Sequence, residues 1–272
     1  MSGQPAFRPD LYRGTASYYD RFRRPYPTAL IEDLCRRVSV SGNGRLLDLA
    51  SGPGTVTFAL SDQFAEAWAV DLEPEAIELA ERKAAANGVH NVRWMAGPAE
   101  DVDPGEVFDL VTIGTAFHRL DRRRVADLAM QWLRSGGHLA LLWSNTPLNG
   151  DAPWQQVFAA IIVDWMQRAG ADDRLPADLE AHLAQLPHAV VLRDAGFTVL
   201  GRYEFTEIHD WTLDELIGIV YSTSLLSRAA LGDHTDAFEA DIRERLRAVE
   251  PSGIFREDGS YAYDLAYRPP AD

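Results

Sequence analysis

The stretch that most constrains the fold is residues 45–55, RLLDLASGPGT, an apolar run that ends in a turn of small residues. A helix-like run, residues 56–64, follows the turn directly. In an open α/β sheet, a strand, a tight glycine turn and a helix expose backbone N–H groups to a ligand at the carboxyl edge. Gly52 and Gly54 have no Cβ, so the chain can turn sharply and a cofactor can lie against its backbone. The stretch predicts a ligand-binding βα unit; the alternative is a βα turn that holds no ligand.

Two kinds of cofactor use such a turn, and the residues around the glycines distinguish them. A dinucleotide fingerprint is G-x-G-x-x-G, and Thr57 stands where its third glycine belongs. Instead, the strand carries an acid near its end. The pattern resembles motif I of the class I S-adenosylmethionine (SAM) methyltransferases, hydrophobic-acid-x-G-x-G-x-G, with alanine in place of the first glycine. The resemblance implies a SAM site that includes Asp48, Ala50, Gly52 and Gly54. Asp48 would orient the glycine turn or reach the amino group of SAM through water.

A second strand-like run, residues 67–71, also ends in an acid, Asp71. An acid at this position can accept hydrogen bonds from both ribose hydroxyls of an adenosine cofactor. The run resembles motif II of the same family, which implies that Asp71 and its neighbour Leu72 contact the cofactor. The alternative for Asp71 is that its carboxylate only caps the helix that residues 73–75 open.

The third strand-like run, residues 92–95, leads into a turn where the family commonly has the sequence G-D-A-E. In this chain Pro98 occupies the acidic position of that turn. The resemblance therefore implies that adenine is contacted by the backbone N–H of Ala99 or by the side chain of Glu100, and both stay open.

The fourth strand-like run, residues 108–113, and the turn after it resemble motif IV of the methyltransferase type 11 group, F-D-x-V-x-x-x-x-x-x-H. The resemblance implies that Gly114 and Thr115 contact the cofactor, while Phe117 and His118 line the substrate side. An ordinary histidine pKa of about 6.5 suits a general base, so His118 is the candidate catalytic residue. The alternatives for His118 are substrate positioning and a structural hydrogen bond.

Aromatic residues and arginines crowd the stretch that precedes a helix predicted over residues 28–38. Residues 18–27, YYDRFRRPYP, resemble the segment Y-D-x-x-R-P-x-Y-P found before motif I in many small-molecule methyltransferases of the type 11 group. In that group the segment folds over SAM and the substrate. The resemblance implies that Tyr19 and Arg24 contact the cofactor and that Tyr18 contacts the substrate. The alternative is a surface helix that docks its tyrosines on the domain.

The succession of strand-like and helix-like runs predicts an α/β fold. The resemblance implies a Rossmann-like, seven-stranded, mostly parallel sheet with an antiparallel last strand, an N-terminal lid and a helical cap insertion. The predicted units are residues 1–40 as the helical lid, 41–145 as the SAM-binding core, 146–195 as the helical cap and 196–272 as the C-terminal part of the core sheet with a helical connection. In the last unit, residues 258–260 are predicted to turn and residues 261–267 to form the final strand.

Composition disfavours several classes of partner. The formal net charge of −15 argues against nucleic acid and anionic membranes, because both attract clustered cations. The same charge favours a neutral or cationic acceptor. Cys35 is the only cysteine, which excludes an intramolecular disulfide, and the seven histidines lack metal-ligand spacing. The sequence has neither a signal-peptide pattern nor an apolar run long enough to span a membrane, so we expect a cytoplasmic protein.

Together these features predict a SAM-dependent methyltransferase that methylates an N or O atom of a small-molecule metabolite, such as a natural-product intermediate, and releases S-adenosylhomocysteine (SAH). Methyl transfer needs alignment and exclusion of water, and it needs a base only if the acceptor must lose a proton. No metal is expected. Two alternatives remain at this point: an NAD-dependent oxidoreductase on the same fold, and a SAM-binding protein without catalysis.

Overall fold

A seven-stranded sheet runs through the part of the chain that the computed structural model describes, residues 7–8, 10–145 and 147–270. Its strands in chain order are β1 (Arg45–Leu49), β2 (Glu66–Asp71), β3 (Val92–Ala96), β4 (Phe108–Gly114), β5 (Leu133–Ser144), β6 (Thr198–Thr212) and β7 (Ile254–Tyr267). Their spatial order is β3-β2-β1-β4-β5-β7-β6. The chain runs from β1 to one edge and then returns to β4, on the other side of β1. Open α/β sheets bind ligands at the carboxyl ends of the strands where the order reverses in this way.

Helices cover both faces of the sheet. Over the described ranges they are α1 (Ala16–Phe22), α2 (Thr28–Val38), α3 (Thr55–Leu60), α4 (Pro74–Asn87), α5 (Arg122–Trp132), α6 (Pro153–Arg168), α7 (Leu179–Gln185), α8 (His188–Asp194), α9 (Leu213–Tyr221), α10 (Arg228–Leu231) and α11 (Thr235–Val249). The apolar residues of α2 and α3 cover one face, and those of α5 and α8 cover the other. Within those ranges, no helix is long and apolar enough to cross a membrane.

Strand β1 is buried on both faces because it lies between two parallel neighbours, β2 and β4. Leu46 packs with Leu30 and Leu60 of α2 and α3, whereas Leu47 packs with Val125 of α5. Successive side chains of a strand point to opposite faces, so a strand covered on both sides needs a continuous apolar run. This requirement explains the apolar composition of residues 45–49.

Strand β7 is antiparallel to both of its neighbours, β5 and β6, as predicted for the last strand. The β6–β7 ribbon is longer than the sequence pattern indicates, and the turn predicted at residues 258–260 is wrong. These residues continue β7, where Asp258 pairs with Ile208 and Ser260 pairs with Thr206. The pairing with β6 therefore overrides a local sequence that favours turns.

The helices of the predicted cap, residues 146–195, lie in two different packing units. Phe158 of α6 packs in one apolar cluster with Leu216 of α9 and Ile242 of α11. Val191 of α8 packs instead in the cluster that includes β1, β4 and α5. A helical unit made by α6, α9 and α11 thus draws on segments before β6 and after it.

A buried acid connects three elements beneath the turn that follows β1. Asp48 of β1 is inaccessible to solvent. Its Oδ2 accepts a hydrogen bond from Thr57 of α3 at 2.6 Å, and its Oδ1 accepts one from Thr112 of β4 at 2.8 Å. Burial raises the pKa of Asp48 to about 6, and the two hydroxyl donors only partly offset that shift. Asp48 therefore connects β1 to α3, which follows the turn, and to the neighbouring strand β4.

The variant Asp48→Asn tests the cost of this buried charge. Burial raises the pKa of Asp48 from about 4 in the unfolded chain to about 6 in the folded protein. The free energy of unfolding therefore falls as the pH rises through this range, by about 3 kcal/mol in total. An asparagine amide can donate to one threonine oxygen and accept from the other. Urea unfolding should show the variant to be more stable than wild type at pH 7 and similar near pH 4.

The matched control is Asp62→Asn, since Asp62 is exposed and, among the described residues, its side chain hydrogen-bonds only to the neighbouring Gln63. It should change stability little at either pH. An Asp48→Asn variant that is less stable than wild type at pH 7 would show that the ionised carboxylate stabilises the turn.

Candidate active site

A cavity of about 280 Å³ lies at the carboxyl ends of β1, β2 and β4, at the reversal of strand order. The strand ends contribute Ala50, Asp71 and Gly114 to its wall. The opposite wall comes from the N-terminal segment, defined here as residues 7–8 and 10–22, through Tyr12 and Tyr19 among others. The cavity is thus enclosed between the sheet edge and the start of the chain.

The turn after β1 presents its backbone to this cavity. Ala50, Gly52 and Gly54 all have positive φ angles, of 52°, 56° and 87°. A Cβ on Gly52 would meet no atom within 4 Å, whereas a Cβ on Gly54 would lie 2.9 Å from the ring of Trp94 and 2.8 Å from that of Phe58. Gly52 therefore leaves room on the cavity side, and Gly54 leaves room for the packing of the domain. Ala50 occupies the left-handed region at a cost of about 1 kcal/mol.

Asp71 at the end of β2 fixes the same turn from the cavity side. Its Oδ2 accepts a hydrogen bond from the backbone N–H of Gly52 at 2.7 Å, and its Oδ1 accepts one from Glu73 at 2.8 Å. Burial raises the pKa of the Asp71 carboxyl, and the two N–H donors oppose that shift. Each carboxylate oxygen has a further lone pair, so Asp71 can still accept hydrogen bonds from a diol in the cavity.

An apolar slot lies beside Asp71. The side chain of Leu72 is 48% exposed, an unusual exposure for leucine, and it lines the cavity together with Pro98 and the buried Ala99. Glu100 also lines the cavity, and its Oε1 accepts a hydrogen bond from the backbone N–H of Asp121 at 2.9 Å. A flat apolar group would remove the Leu72 side chain from water.

The turn after β4 completes the sheet side of the cavity. Gly114 and Thr115 line it, and Thr115 has a φ of 51°. The Thr115 hydroxyl is 3.1 Å from the hydroxyl of Tyr26, which follows α1. Burial raises the pKa of Tyr26, so its hydroxyl stays neutral near pH 7. The strained turn is therefore held by a residue from the start of the chain.

The sequence analysis predicts ligand contacts at Tyr18, Tyr19 and Arg24, and two of these three residues lie outside the cavity wall. Tyr19 lines the cavity, but Tyr18 packs on Tyr221 of α9 with ring centroids 5.2 Å apart. Arg24 forms an ion pair with Glu207 of β6 at 2.8 Å and a contact with His209, and it is not part of the cavity wall.

Arg23, which the sequence analysis did not select, lies beside Tyr19 instead. Its guanidinium carbon is 5.2 Å from the centre of the Tyr19 ring, and its Nε donates to Ser222 at 2.9 Å. Counting from Tyr19 and Asp20 in the pattern Y-D-x-x-R also gives Arg23, so the register of the motif contained this signal.

Phe117 and His118 also lie outside the cavity wall. Phe117 is fully buried in the apolar cluster shared with α5 and α8. The His118 ring lies 6.3 Å from the ring of Trp143 and 6.3 Å from that of Phe7. Burial, with smaller effects of Arg119 and Arg122, lowers the pKa of His118 to about 4. His118 is therefore neutral at pH 7 and a weaker base than an exposed histidine.

The sequence analysis missed several residues of the cavity wall. They include Phe7, Tyr12, Glu73, Glu75 and Arg119. Arg119 donates a hydrogen bond to the Tyr12 hydroxyl at 2.9 Å across more than 100 positions of sequence. Arg119 adjoins His118 in the motif IV turn, but no local pattern indicates a partner at such a distance.

Similar proteins identify the family. A family described as "Methyltransferase domain" matches residues 46–137. The chain is 30% identical over 176 residues to a demethylmenaquinone methyltransferase of Thermus thermophilus, and the match covers 59% of this chain and 76% of that protein. This chain belongs to the class I SAM-dependent methyltransferases.

Other methyltransferases and solved structures match over most of the chain. The chain is 29% identical over 254 residues to a trans-aconitate 2-methyltransferase of Mycolicibacterium gilvum, covering 89% of this chain and 90% of that protein. The crystal structure of the YcgJ protein of Bacillus subtilis superposes with a TM-score of 0.57 at 16% identity, covering 90% of this chain and 100% of that one. The [4+2]-cyclase SpnF superposes with a TM-score of 0.58 at 17% identity, covering 99% and 100%. These likenesses show the fold and not the reaction.

The cavity residues of this methyltransferase fit SAM. Gly52 leaves its backbone uncovered on the cavity side, Asp71 retains acceptor capacity for a ribose diol, and Leu72 offers an exposed apolar surface for a base. These three features lie on one cavity wall, at the strand ends where the fold binds cofactors.

A matched pair of glycine variants separates the ligand-binding role of the turn from its packing role. Gly52→Ala should cost about 1–2 kcal/mol of stability, the cost of a left-handed alanine, but should weaken SAH binding because its Cβ enters the cavity. Gly54→Ala should cost about 2–4 kcal/mol, because its Cβ also clashes with two aromatic rings. Thermal unfolding and calorimetric titration with SAH would measure both effects. Equal effects of the two variants on both readouts would contradict the division of roles.

The lowered pKa of His118 predicts its titration. In an NMR titration of the histidine rings, the His118 resonance should change near pH 4, because burial disfavours the imidazolium. The variant His118→Gln assigns that resonance, and His188→Gln assigns the second histidine expected near this pH. A His118 midpoint near 6.5 would restore it as a candidate general base.

Proposed function

We propose that this methyltransferase uses SAM to methylate an N or O atom of a small-molecule metabolite. The observation that carries the proposal is the cavity in which Gly52, Asp71 and Leu72 share one wall while the N-terminal segment forms the other. Such an enclosed space suits a small acceptor. A net charge of −15 disfavours nucleic acid as the substrate.

The cavity residues would hold the two halves of the cofactor differently. The carboxylate of Asp71 would accept hydrogen bonds from the ribose hydroxyls, and Leu72, Pro98 and Ala99 would enclose the adenine. The side chain of Glu100 is partly committed to Asp121, so the backbone of Ala99 is the better candidate for adenine recognition. Gly114 and Thr115 would lie along the part of SAM beyond the ribose and adenine.

When bound, SAM supplies an electrophilic methyl group on a sulfonium, and its transfer leaves the neutral thioether SAH. The residues of this chain would contribute alignment and exclusion of water. The N-terminal segment closes the cavity with Leu11, Tyr12 and Tyr19. Burial raises the pKa of Tyr19, so its hydroxyl remains a neutral hydrogen-bond donor in the cavity wall.

The geometry favours an acceptor that needs no strong base. His118 has a lowered pKa and lies outside the cavity wall, which supports a structural role over a catalytic one. An acceptor that arrives as a neutral amine or as an anion has no proton to lose before transfer. The trans-aconitate 2-methyltransferase that resembles this chain over 89% of its length acts, by its name, on an organic acid, which makes an oxygen acceptor of that kind a candidate.

Calorimetric titration with SAH tests the proposal, with NADH as the control for an oxidoreductase. We expect SAH to bind in the micromolar range and NADH not to bind. Asp71→Asn should weaken SAH roughly tenfold, because one of its acceptors for the ribose becomes a donor that opposes a backbone N–H. Asp62→Asn is the matched exposed control and should leave the affinity unchanged.

Two outcomes would contradict the proposal. Binding of NADH in preference to SAH would favour an oxidoreductase on this fold. Binding of SAH without methyl transfer to any member of a small-molecule library, followed with SAM labelled in its methyl group, would favour a SAM-binding protein without catalysis.

A further inference from the structure

Arg119 places a positive charge in the cavity wall that no acid of the described residues neutralises. Its Nη1 donates to the Tyr12 hydroxyl at 2.9 Å and to the Ser224 hydroxyl at 3.3 Å. Its guanidinium carbon lies 4.4 Å from the centre of the Tyr12 ring and 4.7 Å from that of Phe7. Two aromatic rings and two hydroxyls therefore hold the guanidinium in place without an anion.

The two hydroxyl groups that accept from Arg119 can each still donate a hydrogen bond. Because the Tyr12 and Ser224 oxygens accept from Arg119, their own protons are available, and neither hydroxyl donates to another described residue. Nor do the Nε and Nη2 of Arg119 donate to any described residue, and neither atom is both buried and unpaired. Ser224 is only 5% exposed, so its hydroxyl faces little competing water. The cluster offers several donors and lacks a matching acceptor.

A second guanidinium adds positive charge behind this cluster. Arg174 donates from Nε to the Ser224 carbonyl and from Nη2 to the Leu11 carbonyl at 3.1 Å, and it forms no ion pair with a described carboxylate. The third arginine of this corner, Arg8, is already paired with Asp10 at 3.1 Å. Asp10 and Asp173 both lie beside Arg8, so these three arginines and two acids leave a positive local charge in a chain whose formal net charge is −15.

We propose that Arg119, held in place by the hydroxyls of Tyr12 and Ser224, binds a carboxylate of the methyl acceptor, so that the acceptor is an organic acid. A carboxylate has two oxygens that match the fork of a guanidinium, and such charge-assisted bonds are about twice as strong as neutral ones. The proposal rests on the proposed function, and it replaces the neutral or cationic acceptor expected from net charge. Binding depends on the charges that face the ligand, and Arg119 faces the cavity.

The experiment measures binding in two steps, so that each proposal can fail separately. The first step is titration of wild-type protein with SAH, which tests the proposed function. The second step titrates the SAH complex with benzoate, succinate and trans-aconitate, and with their neutral amides as controls. At least one acid should bind, and its amide should not.

Substitutions assign that binding to Arg119. Arg119→Gln should weaken binding of the acid roughly 10- to 100-fold. Arg119→Lys keeps the charge but loses the forked guanidinium, so its affinity for the acid should lie between those of wild type and Arg119→Gln. Tyr12→Phe removes one hydroxyl and should weaken binding of the acid by about threefold. The matched control is Arg123→Gln, since Arg123 is 61% exposed on α5 and pairs with Asp194 at 3.5 Å. Circular dichroism and the thermal midpoint show whether each variant folds. If Arg119→Gln does not fold, the affinities of Arg119→Lys and Tyr12→Phe test the proposal.

The carboxylate of the cofactor itself is the other source of an anion, and 5′-methylthioadenosine separates the two because it lacks that carboxylate. If Arg119 binds the acceptor, Arg119→Gln should bind SAH and 5′-methylthioadenosine as wild type does. A variant that loses affinity for SAH but not for 5′-methylthioadenosine would assign Arg119 to the cofactor and overturn the proposal. So would a wild-type SAH complex that binds none of the three acids, or acid binding that Arg119→Gln leaves unchanged.

Discussion

The carboxylate of Asp71 joins the end of β2 to the turn after β1, and the rest of the site depends on that link. Its two oxygens accept from the N–H groups of Gly52 and Glu73, at 2.7 and 2.8 Å. Beneath the same turn, Asp48 accepts from the hydroxyl of Thr57. One acid thus holds the turn directly and the other connects the elements beneath it, and burial raises the pKa of both. The donors offset part of the desolvation cost, and in return the strained backbone of Ala50 keeps one conformation.

The N-terminal segment closes the cavity through contacts of two kinds. On the cavity side the Tyr12 hydroxyl accepts from Arg119, the N–H of Gly14 donates to Glu75 at 3.0 Å, and the side chain of Leu11 is buried. At the far end Phe22 packs into the apolar cluster built on α6, α9 and α11. Both ends of the segment are therefore attached to the domain, the cavity end by hydrogen bonds and a buried leucine and the far end by apolar packing.

The motifs predicted backbone positions well and side-chain directions poorly. Gly52, Asp71, Leu72 and Thr115 belong to strand ends and turns, whose place at the carboxyl edge follows from the strand order, and all line the cavity. Tyr18 and Tyr19 are adjacent on a helix, where consecutive side chains point about 100° apart, so only one can face the cavity. The helical pattern of α1 does not determine which one, because it depends on how α1 packs on α9. For the same reason the sequence does not indicate that Arg119 lies in the cavity wall, because that depends on how the N-terminal segment packs Tyr12 beside it.

Net charge alone does not define the acceptor, because it averages over surfaces that no ligand meets. The cavity wall contains acids, Asp71 and Glu73 among them, together with the cation of Arg119. A carboxylate that itself receives the methyl group needs no base, which agrees with a buried His118 whose pKa is lowered to about 4. The proposed role of Arg119 and the weak basicity of His118 are therefore both consistent with an acceptor that enters the cavity as a carboxylate.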